Sequence, residues 1–600
     1  MFYHFRERVS AWIQKAVYAL RIGAGEKNYL LVLSVAVGAV AGLAAVCLKS
    51  FADFCHHQSL SLVGGGDWMV WIVPAFPALG IFFCIAFVKY WIRGSYDKSL
   101  AGVISATANG TSEIPVQKTY SHILTSGFSV GMGVSAGLEA PIALTGSAIG
   151  SNIAKALKLG RESRTLLLAC GGAGGISAVF NSPVAGALFA CEILLPEFSI
   201  PALVPLLMAS ASAAVVSEVL YSNRAFEMIV SSWHMQNLPF YILLGVLAGL
   251  TSAYIIRTSL AVAKQFELLK NVWVRGLAGA LILYGTFLLM PALKGEGYSY
   301  INALIRGRET AILAGSPFAF LFENPWTFVI LIGILVLVKA LISAASLESG
   351  GDGGIFAPSM FMGAFLGFFM ARLLNLLGVT GAEGLSEINC IAVGMGGVLA
   401  GVMHAPMTGI FLIAEITGGY TLFIPLMIVA SLSCFICRKL SRYNVYKSVI
   451  QMRGGVPEPS KDAVAMEGVG LAGLLEKDFL PVHQDDTLRV LLQAVMHSRR
   501  NIFPVIDDER KLVGMVTLDN IRPFLLDDQL YDVALVYDVM SGPGPVLKST
   551  DSLGDAMKLF ESLRVWNLPV TEDGKYSGFV SKSGVFDRYR NMLRNKQELF

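Results

Sequence analysis

Residues 171–193, GGAGGISAVFNSPVAGALFACEI, lie over residues 394–416, GMGGVLAGVMHAPMTGIFLIAEI, without a gap. The register matches Gly171 to Gly394, Gly174 to Gly397, Pro183 to Pro406, Gly186 to Gly409 and Glu192 to Glu415. Such self-similarity signals a duplication. Each copy follows a G-x-x-A-P element, Gly137-Leu138-Glu139-Ala140-Pro141 in the first half and Gly354-Ile355-Phe356-Ala357-Pro358 in the second. The halves, taken as 28–222 and 238–450, read as repeats with corresponding interruptions. In a membrane transporter, such paired interruptions point to the binding site.

The surrounding composition says where these repeats reside. The 600 residues are 54% hydrophobic and 15% charged, whereas soluble domains carry about 25% charged residues. Apolar runs near 29–52, 68–92, 198–220, 238–263, 272–293 and 326–345 are long enough to cross about 30 Å of hydrocarbon. From 119 to 194 and from 354 to 437, Gly and Pro interrupt the apolar sequence every few residues, which predicts short, tilted or broken helices. Irregular backbone at that depth is tolerated only where protein or a water-filled cavity satisfies it. A polytopic α-helical membrane domain is therefore expected over 28–452.

Before it, residues 1–27 set Arg6, Arg8, Lys15, Arg21 and Lys27 among Phe2, Phe5, Trp12 and Leu20. That pattern predicts a basic interfacial helix with no cleavable signal, held in the cytoplasm by the positive-inside rule. After it, 453–472 reads as a polar linker and 473–600 has soluble character. Within that tail NIFPVIDDERKLVGMVT (501–517) resembles WNLPVTEDGKYSGFVS (566–581). Each is a strand, an acidic turn and a second strand, so two α/β modules are expected over 473–530 and 531–600.

Several function classes recede. The net charge of +3 is small for the length, with no basic run interleaved with aromatics to suggest nucleic acid. All eight cysteines fall in or beside apolar segments, which argues against a disulfide framework, and the CxxC at Cys434 and Cys437 reads as packing. No HExxH occurs among the eight histidines, which argues against a membrane-embedded zinc protease; no metal site and no enzymatic activity are expected.

The chemistry lies at the helix starts. Two helices beginning at Gly-rich loops in mid-membrane would aim free N–H groups and positive dipole ends at one point, which is an anion site. Pro in the first turn withholds no needed donor, and Gly lets the backbone approach the ion. Phe356 and Ala357 would offer amides. Glu139 stands out, because a carboxylate in such surroundings needs water, a cation or helix-end amides. It would compete with an anion for those amides and release them on protonation, giving a pH-sensitive gate; the alternative is an acid that only caps a helix. Glu192 and Glu415 end apolar helices at equivalent positions, where capping a neighbouring segment is at least as good a reading as transport. Lys339 is expected to snorkel or to pair with an acid such as Glu348. Tyr446, where the last apolar segment turns polar, fits an interfacial anchor.

Taken together, GLEAP (137–141), FNSPVAGALFACE (180–192), GGIFAPSMFMGA (353–364), HAPMTGIFLIAEITGGY (404–420) and the Tyr446 position resemble the CLC chloride channels and proton-coupled chloride exchangers. The likeness spans most of residues 30–450 in order. It implies an inverted repeat with broken helices, a homodimer with one pathway per subunit in the lipid membrane, and chloride or another small anion held by helix N-termini and hydroxyls. By that resemblance Glu139 is the gating glutamate, Gly137, Ile355, Phe356 and Ala357 form the anion-binding backbone, and Tyr446 is the inner hydroxyl ligand.

Three departures stand beside the likeness. Where the family carries a Gly-Ser-Gly-Ile-Pro loop, this chain has Tyr96-Asp97-Lys98-Ser99-Leu100-Ala101-Gly102. Lys98 is nearest the serine position and Ser99 is next. Lys98 could attract anions or pair with Glu139, or snorkel toward the cytoplasm. Ile193, just after Glu192, falls where exchangers usually carry a proton-transfer glutamate, which leans toward passive or loosely coupled conduction over strict antiport. Leu138 and Ala140 replace the usual basic residue and glycine of the gate.

The tail resembles paired CBS domains, which often hold adenine nucleotides. Here Thr517 is followed by Asn520 where an Asp is usual, and Ser581 by Gly584, so a structural dimerisation role is preferred over nucleotide binding. No other cofactor is implied. The reading is a chloride or anion channel or transporter of a bacterial-type inner membrane, both termini cytoplasmic. Chloride/proton antiport is the alternative, and a nucleotide-sensing receptor or cation transporter the distant one.

Overall fold

In a computed structural model, the described residues are 2–61, 69–92, 99–196, 200–222, 225–226, 228–319, 324–381, 384–455, 471–563, 565–588 and 590, with side chains of 2–27, 69–70, 472 and 558 excluded. The chain forms two compact units, Met1–Pro457 and Glu458–Phe600.

The first half of the larger unit runs α1 (Phe2–Ser61), α2 (Met69–Ile72), α3 (Phe76–Ala86), α4 (Ala101–Ala108), α5 (Ser121–Gly131), α6 (Glu139–Ala156), α7 (Arg161–Phe180), α8 (Pro183–Phe189) and α9 (Ile200–Leu220). The second runs α10 (Leu238–Glu267), α11 (Val272–Leu289), α12 (Tyr298–Ile305), α13 (Pro325–Glu348), α14 (Phe356–Leu376), α15 (Glu387–Met403), α16 (Pro406–Ile416), α17 (Phe423–Leu440) and α18 (Val445–Met452). Among the described residues, nine helices are long and apolar enough to cross a membrane. The separate interfacial helix expected over 1–27 is instead continuous with the first span, because no proline interrupts residues 2–61.

The halves pack alike. In the first, α6 lies on α7 and α7 on α9; in the second, α14 lies on α15 and α15 on α17. Glycines make the closest crossings. A Cβ at Gly146 or Gly150 of α6 would strike the backbone carbonyls of Gly171 and Leu167, and one at Gly363 or Gly367 of α14 would strike those of Gly394 and Cys390. Small residues let backbones approach where lipid supplies no hydrophobic drive between helices. Even the strained turns repeat: Asn181 and His404, at matching positions, end α7 and α15 with φ of 54° and 55°.

In the smaller unit, β1 (Val482–His483) runs parallel to β2 (Ile502–Ile506), which pairs antiparallel with β3 (Leu512–Thr517). The same order recurs in β4 (Leu547–Lys548), β5 (Asn567–Glu572) and β6 (Lys575–Ser581). The modules interleave. Glu476 pairs with Phe579 of β6, and Leu471 packs in the core of the second module, while Val536 and Val539 pack in that of the first. Of the linker expected over 453–472, residues 456–470 lie outside the described ones.

Candidate anion site

The two G-x-x-A-P elements meet. Gly137 N–H donates to Gly354 O and Gly354 N–H to Gly137 O, each at 2.8 Å. This two-bond bridge sets the starts of α6 and α14 side by side, one from each half. Phe356 is fixed from the first half as well, its ring centroid 5.6 Å from that of Phe180 and 6.4 Å from that of Phe189.

Glu139, the first residue of α6, is completely buried. Tyr298 Oη donates to its Oε1. Its Oε2 has no hydrogen-bond partner among the described residues and lies over Gly137, where a Cβ would strike it. That same Cβ position is 3.1 Å from Ala357 N. The carboxylate therefore occupies the space between the two helix starts, where amides and dipoles favour negative charge. Glycine at 137 is required by this close approach.

On one side of the site opens a cavity of about 880 Å³, reached by Ser99, Gly353, Gly354, Ile355 and Tyr446. Tyr446 is buried, and its Oη makes no hydrogen bond among the described residues, which leaves an unbonded hydroxyl on a residue that lines the cavity. Ser99 Oγ accepts from Ala101 N at 3.1 Å. Among the described residues, Lys89, Arg275 and Arg453 line the cavity against one carboxylate, Glu348. A lining of that sign raises local anion concentration. Lys98 lies outside the described residues.

Glu192 and Glu415 are capping groups, each serving the opposite half. Glu192 accepts from Met407 N at 3.1 Å, Thr408 N at 2.8 Å and Thr408 Oγ1 at 2.7 Å, at the start of α16. Glu415 accepts from Val184 N at 3.0 Å and Ala185 N at 2.9 Å, at the start of α8. Pro183 and Pro406 have no N–H, so the next amides are the first needing an acceptor. Ile193 is buried in the turn that carries Glu192.

The expectation for Lys339 is corrected. It neither snorkels nor meets Glu348. Fully buried, its Nζ donates to Leu293 O at 3.0 Å and Gly295 O at 2.9 Å and stands 4.8 Å from the Phe361 ring centroid. Those carbonyls belong to the segment that carries Glu296 and leads into Tyr298 at the start of α12. Glu296 Oε1 in turn accepts from Leu138 N at 3.3 Å. Sequence reasoning passed over both residues, although an acid between two glycines and a tyrosine directly after them in Lys294-Gly295-Glu296-Gly297-Tyr298 were a usable signal.

In the smaller unit, Thr517 and Asn520 bond each other in a capping box, and Asn520 Nδ2 donates to Ser541 Oγ at 2.9 Å. Ser581 Oγ bonds Glu476 and accepts from Gly584 N at 3.1 Å.

Comparison with known proteins follows the same division. Residues 79–438 match the family model for voltage gated chloride channels, and 471–527 and 536–591 match that for CBS domains. A ClcB-like chloride channel protein of Ralstonia nicotianae is 27% identical over 415 residues, 66% of this chain and 91% of that one. The voltage-gated ClC-type chloride channel ClcB of Escherichia coli is 30% identical over 292 residues, 48% of this chain and 65% of that one. Among solved structures, a slow cyanobacterial Cl−/H+ antiporter aligns with TM-score 0.60 at 22% identity, covering 71% of this chain and 97% of that one. A eukaryotic CLC transporter aligns with TM-score 0.57 at 18% identity over 95% of this chain and 98% of that one. At these identities the structural likeness is one of fold. The family match spans more than half of the sequence and takes in both bridged helix starts: the chain belongs to the voltage gated chloride channel family of membrane anion channels and transporters, with a CBS pair at its C-terminal end.

Proposed function

We infer that this protein moves chloride or a similar small anion through the point where α6 and α14 begin, with Glu139 as a protonatable gate. The observation that carries this reading is the buried Glu139 carboxylate lying between the bridged starts, in the space an anion would need. Protonated, it loses its charge and its claim on the helix-end amides, and an anion takes its place. Anions are drawn from the basic cavity past Ser99 and Tyr446 to the amides of Ile355, Phe356 and Ala357. The protein works as a homodimer, each subunit with its own pathway, in a bacterial-type inner membrane with both termini in the cytoplasm. The CBS pair serves as a structural dimerisation module.

Transport is passive or loosely coupled. Ile193 carries no proton, and the neighbouring Glu192 is held by three hydrogen bonds to the start of α16. In liposomes containing the purified full chain, anion flux rises as pH falls, and Glu139→Gln removes that dependence; pH dependence that survives the substitution takes Glu139 out of the role. Proton flux recorded in the same vesicles decides on coupling. Uphill proton movement driven by a chloride gradient would establish antiport instead.

A further inference from the structure

The second helix start is fed by Gly350-Gly351-Asp352-Gly353-Gly354. Four glycines in five residues give this loop wide conformational freedom, and Gly350 has a φ of +123°. Such a loop does not by itself hold the amides that follow it in one place. The bridge from Gly354 to Gly137 supplies one anchor. The sole side chain in the stretch beyond hydrogen supplies another.

Asp352 is completely buried, and three side chains of α5 reach it. His122 Nδ1 lies 2.9 Å from Asp352 Oδ2, with the histidine equally buried. Thr125 Oγ1 donates to the same oxygen. Ser129 Oγ accepts from Asp352 N at 3.2 Å. Positions 122, 125 and 129 are spaced i, i+3, i+7, one face of one helix. A carboxylate only accepts, so Nδ1 of His122 carries the proton in this contact. A negative charge close to an anion site also opposes the anion, and the His122 and Thr125 donors are among the groups that offset it. The contact further joins the halves, since α5 belongs to the first and Asp352 to the second.

We propose that His122, Thr125 and Ser129 form a three-point clamp on Asp352 that positions the Gly353–Ala357 backbone and so sets how the site ranks anions of different size. His122 and Asp352 are positioning residues: they act through the loop and touch no anion themselves. Amides that must match an ion's radius need placement to about 0.5 Å, which a Gly-rich loop reaches only when its supporting shell is fixed.

The test uses the full-length chain in liposomes, with chloride and nitrate flux measured over a range of concentrations. Asp352→Ala raises the apparent KM for chloride by at least about threefold and lowers the chloride-to-nitrate ratio by a similar factor, the maximal rate falling less than KM rises. His122→Ala shifts both quantities the same way, whereas His122→Asn, whose Nδ2–H stands where Nδ1–H stood, restores them. Should Asp352→Ala fail to fold, His122→Ala and Thr125→Val each remove a single tie and carry the same comparison. A folded Asp352→Ala with unmoved KM and unmoved ratio overturns the clamp. Equal losses of maximal rate for both anions at constant KM also overturn it, as a purely structural contact. The clamp rests on the reading of Gly353–Ala357 as anion-binding backbone. An anion located at those amides together with an unmoved ratio defeats the clamp alone; an anion located elsewhere defeats that reading and the clamp with it.

Discussion

Glu192 and Glu415 each hold the first free amides of a helix in the opposite half. Removing either carboxylate strands two amides, at about 1–3 kcal/mol each when buried and less where exposed. Glu192→Ala and Glu415→Ala are therefore expected to lower thermal stability by similar amounts, with Gln recovering part of the loss, read by thermal unfolding of the detergent-solubilised protein. Unequal effects would mean that one of the two does more than cap. Tyr446→Phe removes a hydroxyl that bonds nothing among the described residues, so it should weaken apparent chloride affinity and leave stability nearly unchanged; the reverse result would assign Tyr446 to packing. At this scale, Glu139 was legible because an acid amid glycines and apolar residues has few tolerable places. The His122–Asp352 contact was not, because each partner is an ordinary polar residue until folding brings the two together from far along the chain, and Glu296 and Tyr298 were marked only by the glycines beside them. Lys339 was misread because its run resembles a lipid-facing span, whereas the carbonyls that receive its ammonium come from a loop dozens of residues away.

Helix crossings were more readable. Gly146 and Gly150, and their counterparts Gly363 and Gly367, stand four residues apart in GLEAPIALTGSAIGS and GIFAPSMFMGAFLGF, and in both halves they put backbone on backbone. A valine at Gly367 must displace the Cys390 carbonyl. Gly367→Val should cost about 1–3 kcal/mol or more as overpacking, whereas Gly285→Val, where a Cβ meets open space, should cost far less. Thermal unfolding of the two variants side by side makes the comparison, and equal losses would contradict close crossing at Gly367. The breaks within 119–194 and 354–437 were visible in part: α8 and α16 are short and begin at Pro183 and Pro406, whereas α7 and α14 run 20 and 21 residues despite their glycines. The continuity of α1 was not visible, because a basic amphipathic segment and the start of a span share the same helical propensity.

For the whole molecule, duplication is the organising fact. One half supplies the start of α6 and the other the start of α14; neither alone brings two positive helix ends to one point. The repeat was plain in the sequence because the register 171–193 over 394–416 needs no gap. The bridge that makes it functional was not, because Gly137 and Gly354 have no side chains to announce a contact. The central claim is that these two starts together bind an anion. Anomalous diffraction from crystals of the Glu139→Gln variant soaked in bromide tests it most directly. A peak is expected within about 3.5 Å of the Phe356 and Ala357 amide nitrogens, beside Gly137. Bromide bound elsewhere in the protein, with no peak between those helix starts, would contradict it.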